Sequence, residues 1–270
     1  MAKRGLYESI LCSLFLSTLA AGITTMSSSF PPALQPSRVT LLGYGALLSE
    51  ASSRLTFPNL TNYRHVRIFG LRRVFAHPHL FLVKEGLIDP SKTLHLASLS
   101  VEPAGHESSL VVAAFDVALD DEQRKQFVQR EPEYDISTTP FYDLAGSDMR
   151  APNVSRGTPT APPVAGHGVI CLASRSDADL NPALDVPASI KRHPNGLWHW
   201  PEDSGLLPAD IYLRHCLLAV QRAGGRAYVS FLNDTYLADR VTTLAQYLER
   251  NGERVMTSRP PSHLATRFGG

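Results

Sequence analysis

The chain has 270 residues, of which 43% are hydrophobic and 19% charged, and its formal net charge is +1. That length gives one large domain or two small ones with a full core, and the charge balance excludes a global electrostatic footprint for nucleic acid or a membrane surface. Cys12, Cys171 and Cys216 form no CxxC pair and suit no zinc site.

Lys3 and Arg4 precede an apolar stretch over residues 10–23, followed by a Ser/Thr-rich segment. This resembles a signal or transit peptide. It is too short, and too broken by Ser13, Ser17 and Thr18, for a stable membrane span. Met26 offers a second start. Residues 1–37 are therefore set apart as a targeting-like segment and Ser/Pro-rich linker, residues 38–250 are read as the domain with its C-terminal helical extension, and 251–270 as a polar tail. Sequons at Asn59, Asn153 and Asn233 matter only in a secretory compartment.

Residues 39–42 are a short β-branched and apolar run that stops at Gly43-Tyr44-Gly45, a strand entering a tight turn. Residues 47–55 suit a short helix or loop. Residues 63–83 read as β-rich, with Arg64, Arg67, Arg72 and Arg73 as a solvated face and bends at Gly70 and Pro78. Residues 94–101 alternate, and 110–117 have the continuous apolarity of a strand buried on both faces. Asp120 and Asp121 mark a helix N-terminus, and Pro132 ends that helix near Arg130. Residues 143–165 are loop-like, 168–173 form another buried strand, and 174–205 are irregular. Helices follow around residues 208–223, 228–232 and 242–248. This order predicts an α+β or mixed α/β domain with a strongly curved sheet.

His77 and His79 could share a strand face, but no third metal ligand accompanies them. Trp198-His199-Trp200 reads as a core edge, with a lid or partner loop as the alternative. Cys171 and Cys216, within apolar runs, read as buried inert thiols. The glycine turn fits neither GxGxxG nor GxxxxGK[ST], which argues against nucleotide binding.

Two features carry chemistry. Gly43-Tyr44-Gly45-Ala46-Leu47 follows the first strand, and Arg130-Glu131-Pro132-Glu133-Tyr134 follows a helix. Glycines let a backbone come close to a ligand, and successive N–H groups in such a turn can cradle an anion. A carboxylate beside that turn can act as general base and then general acid. The bland alternative for Glu131 is a solvated helix-end residue paired with an Arg. Glu133 is the rival carboxylate, and Tyr44 could equally be a core aromatic.

Together the motifs resemble the γ-glutamylcyclotransferase-like superfamily. Tyr44-Gly45-Ala46-Leu47 is similar to its loop after the first strand, Glu131-Pro132-Glu133-Tyr134 to its motif around a catalytic Glu, and residues 69–75 to its third element. The resemblance covers roughly residues 38–140, and the C-terminal helical part resembles extensions in some plant and algal relatives. Ala46 replaces the family's Ser, and Pro132 its Gly. The resemblance implies a small mixed β-barrel with peripheral helices and a small-molecule γ-glutamyl substrate. It implies Glu131 as catalytic acid/base, with Tyr44, Gly45, Ala46, Leu47 and Tyr134 binding substrate. The product would be 5-oxoproline, with no metal or organic cofactor and no nucleic-acid partner. A cytoplasmic or plastid location suits this chemistry, and the N-terminal segment leaves secretion open. The alternative is a non-catalytic binding or regulatory module on the same fold.

Overall fold

The computed structural model describes residues 30–144, 163–180 and 184–269. Most of the targeting-like segment, Met26, the Asn153 sequon and most of the 143–165 loop lie outside them. In chain order the elements are β1 (Arg38–Gly43), α1 (Glu50–Thr56), β2 (Thr61–Phe69), β3 (Leu71–Pro78), α2 (Leu80–Lys84), β4 (His95–Pro103), β5 (Ser109–Ala118) and α3 (Asp121–Arg130). They continue with β6 (Tyr134–Asp143), β7 (Gly166–Ala173), α4 (Ala188–Lys191), β8 (Leu207–Pro208), α5 (Asp210–Ala223), α6 (Gly225–Asn233), β9 (Thr235–Leu237) and α7 (Leu244–Thr257). The architecture is mixed α+β, as expected: a small closed barrel with a second sheet and peripheral helices.

The barrel order is β1-β5-β2-β6-β7, and it closes by a parallel contact between Leu41 of β1 and Val169 of β7. The second sheet runs β8-β4-β3-β9. β5 explains why the two layers hold together. Its Leu110, Val112 and Ala114 pack with Leu42, Val66, Ile68, Phe141 and Ile170, which brings in every other barrel strand. The alternate residues Val111, Ala113, Phe115 and Val117 face outward into the larger core with Phe75, Leu99, Leu213 and Phe231. A strand buried on both faces needs apolar side chains at both parities, hence the unbroken run over 110–117.

Local signals set the element ends. Asp120 and Gln123 form a reciprocal capping box on α3, with bonds of 2.8 and 2.9 Å, and Thr243 and Gln246 repeat it on α7. Pro132 disfavours helical backbone at the residue before it. Glu131 accordingly leaves the helix at φ −116°, ψ 46°, and β6 begins three residues later.

Four features differ from the sequence reading. β6 is a full strand, although Pro140 and its alternating polar residues concealed it. Phe81 and Val83 lie in α2, because His79 caps a short helix there instead of continuing β3. Arg73 is no solvated residue: its exposure is 0%. The segment 251–270 holds the last turns of α7 and buries Leu264 and Phe268. Among the described residues, no helix is long and apolar enough to cross a membrane.

Phe115 is fully buried, with its ring 5.6 Å from Phe57 and 6.0 Å from Tyr63. Phe115→Ala is expected to lower stability by about 3–5 kcal/mol in urea unfolding. A loss under ~1 kcal/mol would mean that β5 is not the shared wall of the two cores.

Candidate active site

The chain reverses sharply after β1. A Cβ on Gly43 would lie 2.4 Å from the Leu47 Cβ, so only glycine permits this approach. Residues Ala46–Leu48 form a 3₁₀ turn, closed by N–H bonds from Leu48 and Ser49 to the Gly45 and Ala46 carbonyls. Other carbonyls of the turn are tied outward. The Tyr44 carbonyl accepts from Arg73 at 3.3 Å. The Leu47 carbonyl accepts from Ser53 at 2.8 Å, and that of Leu48 from Tyr63 at 2.6 Å.

This turn walls a cavity of about 610 Å³. The size suits a small organic molecule rather than a macromolecule. Gly43 through Leu47 line it together with Glu131, Arg130, Tyr134, Cys171, Tyr212 and the C-terminal Thr266, Arg267 and Phe268. The structure thus brings together Tyr44, Gly45, Ala46, Leu47, Glu131 and Tyr134, all singled out from sequence. Glu133 is not among the lining residues.

Two phenols are fixed by carbonyls. Tyr44 donates to the Cys171 carbonyl at 2.8 Å, and Tyr134 to that of Leu99 at 3.0 Å. The Tyr134 hydroxyl also lies 3.2 Å from His77 Nε2, and His77 stacks on Trp198 with ring centroids 4.2 Å apart. Trp198 is thus part of the packing behind Tyr134, the core-edge alternative of the sequence reading. Its backbone is set by Asp177, which accepts from the N–H groups of Leu197 and Trp198 at 2.8 and 2.9 Å.

The electrostatics favour neutral forms. Burial raises the phenol pKa values of Tyr44, Tyr134 and Tyr212 well above the ordinary range. Burial likewise raises the Cys171 thiol, and pushes Cys216 up to about 12, so both thiols stay protonated. His77 and His79 are each pushed down to about 3 by burial and are neutral. Among the described residues no cluster of three or more His, Cys, Asp or Glu could hold a metal ion.

Glu131 differs. Its carboxylate is paired with Arg130 at 3.2 Å and its side chain is one-quarter exposed, at 25%. Burial raises its pKa against the opposing pull of Arg130. Burial and the charge of Glu131 push Glu133 up to about 7. The Arg–Glu pair is the helix-end contact of the bland reading, but it lies inside the cavity wall. Sequence reasoning missed Tyr212, Arg267 and Phe268. They come from α5 and the C-terminus, and only tertiary packing brings them here.

No protein-family model matches the chain, and no curated protein matches it. Solved structures do resemble it. One is the yeast γ-glutamyl cyclotransferase specific to glutathione: 13% identity, TM-score 0.40, covering 69% of this chain and 88% of that one. Another is a γ-glutamyl cyclotransferase: 9% identity, TM-score 0.34, covering 51% and 67%. A third is an uncharacterized Homo sapiens protein: 10% identity, TM-score 0.35, covering 52% and 68%. With TM-scores below 0.5, these likenesses assign neither substrate nor residue roles.

Gly43→Ala is expected to cost about 1–3 kcal/mol in denaturant unfolding, because the Leu47 Cβ cannot move without opening the turn. An unchanged midpoint would refute the close approach. A second test uses pH. Glu133 binds its proton more tightly when folded than at its ordinary 4.5, so stability falls as pH rises from about 4.5 to about 7. Glu133→Gln removes that contribution. Its melting temperature should fall less than the parent's between pH 5 and pH 7.

Proposed function

We propose that the chain is a γ-glutamyl cyclotransferase that closes a γ-glutamyl amide onto itself, releasing 5-oxoproline and an amine. The observation that carries this reading is a single cavity walled by both the Glu131 carboxylate and the glycine turn, Gly43 to Leu47.

The substrate holds its own nucleophile. Its α-amino nitrogen attacks the γ-carbonyl carbon and closes a five-membered lactam, which avoids much of the entropy cost of a bimolecular step. The new C–N bond forms as the old amide C–N bond breaks. Two protons leave the α-ammonium and two reach the departing amine, which leaves as an ammonium ion. Glu131 is the relay, first base and then acid. Its raised pKa brings it toward the working range for both roles. The N–H groups of Gly45 and Leu47 face the developing oxyanion. The Ala46 N–H belongs to the same turn and completes the set of three donors. Tyr44 and Tyr134 wall the γ-glutamyl subsite and stay protonated as hydrogen-bonding phenols. The cavity exceeds the size of a γ-glutamyl group, which leaves room for the amine portion beside Phe127, Arg267 and Phe268.

The test is 5-oxoproline release from a panel of γ-glutamyl amino acids, γ-glutamylamines and glutathione. The parent should turn over at least one, and Glu131→Gln should lose about 10²–10⁴-fold in kcat. Release that survives the substitution moves the chemistry to Glu133 or elsewhere. No release by folded protein favours a binding module. The acid limb of kcat/KM should lie above 4.5, since Glu131 must ionise before it can accept a proton and burial opposes that ionisation.

A further inference from the structure

Behind the glycine turn lies a cation that the reaction above does not use. Arg73 sits in β3, where Leu71, Arg73 and Phe75 share a face, while Arg72 points outward to Glu102 at 2.7 Å. The Arg73 side chain is fully buried. Its hydrogen-bond partners are neutral, and the Asp234 carboxylate acts on it from beyond hydrogen-bond distance. It donates to the carbonyls of Tyr44 at 3.3 Å and Val111 at 3.2 Å, and to Ser230 Oγ at 2.8 Å. Its guanidinium lies 5.1 Å from the Phe231 ring centre, and its Nε has no hydrogen-bond partner.

A buried cation without a contacting carboxylate is costly. Burial lowers its pKa, yet arginine keeps its proton at neutral pH. An apolar residue would fill the same core position without that cost, so the charge calls for an explanation. The peptide geometry supplies one. The carbonyl and the N–H of a trans peptide point in opposite directions. With the Tyr44 carbonyl drawn to Arg73, the Gly45 N–H is turned to the far side of the peptide, and Gly45 lines the cavity. A cation on the carbonyl also polarises the amide and strengthens its N–H as a donor.

We propose that Arg73 is a positioning residue that makes the glycine turn an anion site. It holds the Tyr44–Gly45 peptide by its carbonyl and gives the cavity wall a positive bias toward a carboxylate or an oxyanion. In a low-dielectric setting such a bias acts across the peptide without direct contact with the ligand. The inference rests on the reading above only in taking that anion to be part of a γ-glutamyl substrate.

The test needs no turnover. The full-length ¹⁵N-labelled protein is titrated with sodium acetate at pH 6 and constant low ionic strength, and the Gly45 amide resonance is followed. In the parent it should move saturably. In Arg73→Met the midpoint should rise by about tenfold or more, the size of a lost contact to a charged group. Arg73→Lys replaces the fork by an amine that, buried, loses its proton as pH rises. Titrated from pH 5 upward, its midpoint should lie near the parent's at pH 5 and rise toward that of Arg73→Met at higher pH. No saturable shift in the parent overturns the inference. So does an unchanged midpoint in Arg73→Met, or an Arg73→Lys midpoint as weak as that of the neutral variant at every pH, which would reduce Arg73 to a scaffold. If the methionine variant does not fold, the lysine variant decides alone: a midpoint that rises with pH more than the parent's supports the inference, and one that does not overturns it. Acetate binding at Gly45 without 5-oxoproline release would sink the cyclotransferase reading and leave this one standing.

Discussion

Tyr44 is held at both ends, and the site depends on that. Its hydroxyl donates to the Cys171 carbonyl on β7, across the closure of the barrel. Its own carbonyl accepts from Arg73 on β3, in the second sheet. One residue therefore spans the two sheets just where the chain reverses. The reversal in turn requires Gly43, since any side chain there would strike Leu47. With the Tyr44, Leu47 and Leu48 carbonyls all engaged on the outer side, the turn is fixed by groups that do not face the cavity. Such preorganisation lets backbone N–H groups serve an anion without reorganising when it arrives.

The surrounding chemistry follows from burial more than from charge pairing. Phenols, thiols and imidazoles behind the cavity are all pushed toward neutrality by desolvation. Among the described residues, the charges around the cavity include Glu131 with Arg130 at the wall, Arg267 stacked 3.7 Å over Phe81, and Arg73 beneath the turn with Asp234 acting on it. In a neutral setting each of these charges acts over a longer range than it would in water.

Much of this was legible in the sequence where the signal is local. The capping box at Asp120, the stop at Pro132 and the unbroken apolar run of β5 each act within a few residues. So does the glycine pair that places the turn. Arg73 was misread because arginine side chains are usually solvated. The period-two alternation with Leu71 and Phe75 was the available sign of its inward face. β6 was hidden by Pro140 and by polar residues on its exposed side, and α2 by a histidine acting as an N-cap. Phe268 could not have been placed at all. A lone apolar residue in a polar segment shows its value only when distant chain packs against it.

The choice between the two carboxylates is itself an electrostatic argument. Glu131 and Glu133 lie close enough that the charge of Glu131 opposes the ionisation of Glu133. Glu131 keeps an exposed edge and an arginine partner, which favour its charged form. Glu133 lies off the cavity and is the one pushed to about 7, so near neutrality it retains much of its proton. The second carboxyl then adds little negative charge beside the proposed anion site, while the first keeps the ionised form from which the proposed relay starts. Under the proposed reaction, an arrangement with both groups ionised would repel the substrate carboxylate. Pro132 helps keep the two apart: it ends α3 at Glu131 and leads into β6, and the two carboxylates are left in different surroundings two residues apart.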